Sequence, residues 1–320
     1  MIDMSAVRPC ELILIIILSD WYKEMKVMFQ IISDAGCDFG KEEALKYQVD
    51  IVSFYVSFDE TFLKVGVDIS TEDFFKRLMA EKGVFPKTSQ PNPHDYIEVC
   101  TPHLENGKDV LLLTISSKLS GSYNSASVAA DLLQEDYPDR KIIVIDSLSG
   151  SIAQGLILRE MIGMRDANYS IDRVVQLTEE ILKTTRVYFT LDTLEYLKRG
   201  GRVGPTTAFV GGILGLRPIL QLEDGQVSQL DNVRGKKNVL KLIEEAMVVA
   251  LEDEKHNVNI SVGHIFSEGD AIDFKQRLET ALDVKITTPI TAVGATIGAH
   301  AGPGALAFAY CKKYTALEGV

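Results

Sequence analysis

VLLLTISSKLSGSYNSASVAADLL, residues 110–133, decides how the rest of the chain is read. Val110–Ile115 is a short, almost unbroken apolar run, the pattern of a strand covered on both faces. Four serines follow at Ser116, Ser117, Ser120 and Ser122, more than a single helix cap requires. Ser122–Leu133 then reads as a helix. In open α/β sheets ligands bind at the C-terminal ends of parallel strands, where a helix N-terminus supplies free N–H groups and a positive dipole end. Gly121 lets another group approach the backbone closely.

The same grammar extends outward. Val27–Ile32, Ile51–Phe58 and Ile142–Ile145 are further β-type runs, and Thr71–Ala80 and Pro93–Leu104 are helical candidates. Alternation of this kind predicts a parallel sheet of Rossmann-like type. After about residue 150 the character changes. A polar helix over Ser170–Lys183 precedes the strand-like Arg186–Leu191. A glycine-rich segment (Lys198–Pro218), a hairpin at Asp224-Gly225 and a long helix from Lys236 to about Glu254 follow. Strand candidates Asn259–Phe266, Val284–Thr287 and Ala305–Tyr310 complete it. The expected fold class is therefore α/β with two α/β domains, residues 28–155 and 156–320. The last strand is a candidate to pack on the first domain. Residues 1–27 are read as a leader outside the fold.

Composition narrows the functional classes. In 320 residues, 46% are hydrophobic and 24% charged, a folded globular profile and not a disordered one. The net charge of -12, spread along the chain, argues against nucleic acid as a partner, because phosphate contacts need a concentrated basic face. Cys10, Cys37, Cys100 and Cys311 form no C-x-x-C pair, so neither structural zinc nor a disulfide framework is expected. Reduced thiols fit a cytoplasmic protein. Leu12–Leu18, the apolar part of the leader, is too short to span a membrane. No metal and no cofactor are expected.

Other turns carry groups suited to an anion. Lys87-Thr88-Ser89-Gln90-Pro91 is dense in hydroxyls, and Thr88 offers an O–H and a backbone N–H; taken alone, an ordinary helix cap is the commoner explanation. Asp34 and Asp38 follow the first strand and Asp146 the strand at Ile142–Ile145, where they either orient the site or cap turns. Arg202, beyond the glycine pair Gly200-Gly201, and Arg234, within a second basic group, are each able to clamp a carboxylate or phosphate. The small and apolar segment Thr206–Leu220 leaves room for a ligand chain or serves as core. Gly298-Ala299-His300-Ala301-Gly302-Pro303-Gly304 leaves a histidine ring accessible among small residues, and imidazole donates to anions.

Seven segments together resemble the DegV family of fatty-acid-binding proteins. They are SDAGCD (33–38), KTSQPNP (87–93), SSKLSGSYNSA (116–126), IDSLSGSIAQG (145–155), LEYLKRGGRVG (194–204), VRGKK (233–237) and GAHAGPGA (298–305). The similarity runs from about Met28 to Tyr314. It implies a fatty acid in a tunnel between the two domains, with Thr88 and Ser120 binding its carboxylate. His300 and an arginine, Arg234 or Arg202, stand close behind, supported by Ser89, Gly121, Ser122, Asp34 and Asp146. Bacterial members present the acyl chain to a separate fatty acid kinase subunit that makes an acyl phosphate. The resemblance thus implies a long-chain fatty acid and that kinase as partners, and no catalysis by this chain itself.

Two other classes remain on the residues alone. Ser120 and His300 could serve as nucleophile and base of an acyl hydrolase or transferase, although no G-x-S-x-G elbow is present. A regulatory or structural protein with a vestigial pocket is the other.

Overall fold

A computed structural model of the chain describes residues 29–81, 83–202, 216–317 and 319. The leader, Cys10 and the 206–215 part of the small-residue segment lie outside the described residues.

β1 (Phe29–Asp34) is buried at every position, and a 3-10 turn at Ala35–Cys37 leads from its C-terminal end toward α1 (Lys41–Tyr47). β2 (Asp50–Val52) pairs parallel with β1. The expected strand Ile51–Phe58 is in fact two. β3 (Tyr55–Ser57) leaves the parallel sheet and pairs antiparallel with β4 (Leu63–Lys64). After α2 (Thr71–Ala80), β5 (Lys87–Ser89) joins the other side of β3. The split follows from burial: Val52 packs with Tyr96 and Leu112, whereas Val56 enters a different core with Phe74 and Leu197. Thr88, which sequence placed in a link between helices, therefore lies on a strand opposite Val56.

α3 (Pro93–Glu105) starts with Pro93 at its first position and a reciprocal cap, Asn92 accepting from the N–H groups of His94 and Asp95 while Asp95 accepts from that of Asn92. β6 (Asp109–Thr114), α4 (Ser122–Asp136) and β7 (Ile142–Asp146) complete a four-stranded sheet, order β2-β1-β6-β7. All of its pairings are parallel, so the C-terminal ends of β1, β6 and β7 share one edge.

α5 (Ser151–Asp166) carried no amphipathic signal in the sequence, because 12 of its 16 residues are buried. A helix buried on all sides, with Gln154, Glu160 and Arg165 among its buried residues, has no solvent-facing polar stripe to reveal it. Leu156 and Met161 share one core with Ile31 and Leu113 of the parallel sheet and with Ala309 and Cys311 near the C-terminus. The domain limit expected between residues 155 and 156 falls inside this helix. Its buried Glu160 accepts from Asn259 Nδ2 at 2.5 Å and from the N–H of Tyr314 at 2.6 Å, which pins the helix to the second half.

α6 (Ile171–Thr184) is capped by Ser170, whose hydroxyl accepts from the N–H of Arg173. β8 (Arg186–Thr190) and α7 (Glu195–Gly200) follow, then the hairpin of β9 (Leu216–Glu223) and β10 (Gln226–Arg234) and the helix α8 (Lys236–Leu251). β11 (Val258–His264), α9 (Glu268–Leu282), β12 (Thr291–Ala292), α10 (Ala295–Ala301) and β13 (Leu306–Lys312) close the chain. The second sheet has the order β10-β9-β8-β13-β11-β12, antiparallel throughout except between β11 and β12. Val284–Thr287 is not a strand. Side chains of α9 take over part of its backbone pairing: Ile286 donates its N–H to Glu279, and Lys275 donates to the carbonyl of Thr288. β13 lies between β8 and β11, with Cys311 turned toward the α5 core and Phe308 toward the α8–α9 core. The fold is α/β, with a parallel sheet in the first half and a mostly antiparallel one in the second.

Candidate functional site

The turn after β6 is shaped from below by Asp34, at the end of β1. Its fully buried carboxylate accepts from the N–H of Ile115 (2.9 Å), the N–H of Gly36 (3.0 Å), Gln154 Nε2 (3.0 Å) and Ser122 Oγ (2.5 Å). Burial raises its pKa, and these four donors pull in the opposite direction. Asp146, at the end of β7, accepts from the N–H groups of Ser117 (3.1 Å) and Leu148 (3.0 Å). Both carboxylates therefore order the Ser116–Ser120 turn from neighbouring strand ends. Ser122 spends its hydroxyl on Asp34, whereas Ser120 Oγ accepts from the N–H of Ser122 (3.2 Å) and keeps its own proton for a partner.

Thr88 arrives from the small sheet and His300 from the last turn of α10. Thr88 Oγ1 and His300 Nε2 stand 2.8 Å apart, although 212 residues separate them in the chain. His300 sits hard against Gly200, where a Cβ would come 2.1 Å from Nδ1, so only glycine fits at that point of α7. Nδ1 is buried and has no hydrogen-bond partner among the described residues. Burial lowers the imidazole pKa to about 4, with the Arg202 charge acting in the same direction, so the ring is neutral at pH 7. Arg202 follows Gly201, which holds φ +68. Its Nε donates to the carbonyl of Leu119 (3.1 Å) and its Nη1 to that of Gly200 (2.5 Å), tying the serine turn to α7.

These groups converge on a cavity of about 130 Å³. A single water needs only about 10–15 Å³ on that scale, so the space is of small-molecule size. Thr88, Ser120, Arg202 and His300 line one part of it. The remainder is chiefly apolar and draws on both halves of the chain, with Ile115 and Leu119 from the first and Val187, Phe189, Leu222 and Val227 from the second. Asp38 lies behind Ser151, a further lining residue; it accepts from Ser151 Oγ (2.5 Å) and from the N–H of Gly294 (2.9 Å), and burial raises its pKa to about 7. Among the described residues no group of three or more His, Cys, Asp or Glu could hold a metal ion, and no helix is long and apolar enough to cross a membrane.

Of the residues expected at the site, the trio Thr88, Ser120 and His300 comes together, and Arg202 joins it. Arg234 does not line the cavity. It is exposed at the far end of β10, seven residues beyond the lining residue Val227 and so roughly 23 Å along the strand. Ser89 also stays outside: neighbouring strand residues point to opposite faces, and Ser89 is exposed. Ser122, Asp34 and Asp146 act beneath the turn, and Gly121 lies against Gln90. Sequence reading missed Gln90 as a lining residue and the apolar wall contributed by β8, β9 and β10. The turn motif KTSQP contained the signal for Gln90, whereas nothing local marks which strand face meets a cavity. The geometry among the described residues does not support the nucleophile–base reading, since His300 pairs with Thr88 and no described carboxylate orients its Nδ1.

A family model described as "Uncharacterised protein, DegV family" matches residues 28–313. A DegV domain-containing protein of Clostridium acetobutylicum is 34% identical over 283 residues, covering 88% of this chain and 96% of the relative. Among solved structures, a fat acid (stearic acid)-binding protein from Eubacterium ventriosum is 33% identical, with a TM-score of 0.85 over 90% of this chain and 99% of that one. A fatty-acid-binding DegV family protein from Thermus thermophilus is 28% identical, with a TM-score of 0.81 over 89% and 99%.

Proposed function

This chain belongs to the DegV family, and from that premise we propose that it binds a long-chain fatty acid and presents the carboxylate to a partner fatty acid kinase subunit in the cytoplasm. The observation that carries this reading is the cavity itself, an apolar space shared by both halves with two hydroxyls, an imidazole and a guanidinium gathered at one part. Solved relatives that bind fatty acids support it. In this assignment Thr88 and Ser120 donate to the carboxylate. Arg202 supplies positive charge in a protein of net charge -12, and His300 fixes the Thr88 hydroxyl.

Magnitudes divide the labour. Each buried methylene contributes about 0.8 kcal/mol, so a chain of ~15 gains on the order of 12 kcal/mol before the costs of association. A charge-assisted hydrogen bond adds about 1.5–3 kcal/mol. The wall thus supplies affinity, and the polar groups select a carboxylate and set its direction. Presentation is supported by the rim: Gln90 lines the cavity yet is exposed, which puts the polar part near the surface. There a carboxylate oxygen attacks the terminal phosphorus of a nucleotide held by the partner. The phosphorus–oxygen bond to the departing nucleoside diphosphate breaks, and an acyl phosphate forms.

Mass spectrometry of lipid extracted from the purified protein tests the binding step; a long-chain fatty acid at near-stoichiometric yield is expected. Protein that carries none and takes up no labelled fatty acid would sink the proposal. Acyl-phosphate formation on addition of a fatty acid kinase subunit and ATP tests the second step independently.

A further inference from the structure

Gln90 stands at the rim of the cavity, in the turn immediately after β5, two residues from Thr88 and facing the serine turn. Its Oε1 accepts from the N–H of Gly121 at 3.0 Å, and its Nε2 donates to Ser125 Oγ at 3.4 Å. A Cβ on Gly121 would come within 2.4–2.7 Å of the Gln90 amide, so the side chain lies flush on that backbone. A backbone N–H only donates. It therefore settles which way the amide is turned, with oxygen toward Gly121 and the NH₂ group away from it. One hydrogen of that NH₂ goes to Ser125, and among the described residues the other has no recorded acceptor.

The other polar atoms of the rim are engaged in the same sense. Ser120 Oγ already accepts from the N–H of Ser122, and Thr88 Oγ1 accepts from His300 when the neutral ring carries its proton on Nε2. Each oxygen already accepts from one donor of the protein, which leaves its own hydrogen free to turn toward a ligand. We propose that Gln90 is a third donor to the bound carboxylate and a determinant of selectivity for the acid over neutral chains of the same length. A carboxylate has about four lone-pair sites and a negative charge, so it can accept from all three donors in charge-assisted bonds; an uncharged alcohol oxygen accepts from at most two, and more weakly. This assignment rests on the acyl-binding reading above.

Gln90→Glu is the informative change. It keeps the shape and the acceptor for Gly121 but replaces the NH₂ donor with a charged oxygen facing the ligand. At pH 8, titration with stearic acid and with stearyl alcohol, both as fluorescent-probe displacement, should show acid affinity lowered about ten-fold or more. Alcohol affinity should stay within about two-fold, since its chain contacts are untouched. Equal loss for both ligands, or no loss for either, would overturn the role of Gln90 while leaving acyl binding intact. Wild-type protein that binds neither ligand would overturn the acyl reading and this assignment with it. A melting temperature matching wild type shows that Gln90→Glu is folded; Gln90→Met, uncharged and without the donor, supplies a second arm, with a smaller loss confined to the acid.

Discussion

The two larger sheets meet at one cavity and contribute to it in opposite ways. The parallel sheet offers its edge: β1, β6 and β7 end together, with Asp34 and Asp146 as the last residues of β1 and β7 and Ser120 in the turn after β6. The antiparallel sheet offers a face. Val187 and Phe189 alternate along β8, Ala307 of β13 stands opposite Phe189, and Leu222 pairs with Val227 across the hairpin. Strand ends expose backbone N–H groups and short polar side chains, whereas a sheet face projects every second side chain in a continuous layer. One architecture suits the selection of a charge and the other the burial of a chain.

That contrast can be broken at either side. Asp34→Ala strikes the edge hardest, because it strands four buried or partly buried donors at once. A loss of about 3–4 kcal/mol in urea-denaturation stability is expected from such unsatisfied groups. A loss below about 1 kcal/mol would show that the turn holds itself.

Acid should act on the same edge through His300. Its folded pKa, lowered to about 4, lies below the ordinary value of 6.5. The unfolded chain therefore binds more protons between those values, and stability falls as pH drops through that window. The stability difference between wild type and His300→Gln should shrink on the order of 3 kcal/mol from pH 7 to pH 4. Asp38, raised by burial to about 7, works in the other direction over an overlapping range and cancels in this difference. A flat difference would contradict the burial of the neutral ring.

On the face, Phe189→Asp places an unpaired carboxylate in the apolar wall. Affinity for acid and alcohol should fall together, by about 100-fold, in contrast to the selective loss expected at Gln90. Survival of alcohol binding would mean that the chain does not run along β8. The smallest effects separate the two arginines. Arg202→Ala should weaken acid binding about ten-fold, and Arg234→Ala should leave it within about two-fold, as read by the same displacement titration. The reverse ranking would overturn the assignment of Arg202.

The parallel half was legible because its signals are local. An apolar run, a serine turn and a helix start fit within the 24 residues from Val110 to Leu133, and the structure keeps that order as β6, turn and α4. Thr88, Ser120 and His300 were legible for the same reason, each being a polar side chain in a short stretch of small or hydroxyl-bearing residues, although Thr88 proves to lie on β5 and His300 on α10. α5 was not, since burial on all sides erases periodicity. The split of Ile51–Phe58 into β2 and β3 was hidden because both pieces are apolar and only their destinations differ.

By itself the sequence determined the α/β class, the serine turn and the identity of three groups suited to an anion, since strand, turn and cap preferences act over a few residues. Only the tertiary structure decided that Arg202 and not Arg234 joins them, that Gln90 closes the rim, and that β8, β9 and β10 build the wall. Those outcomes depend on which strands pair and in what register, as when Phe189 meets Ala307 across more than a hundred residues. Such pairings are chosen by the burial of the whole chain, and no short window of residues encodes them.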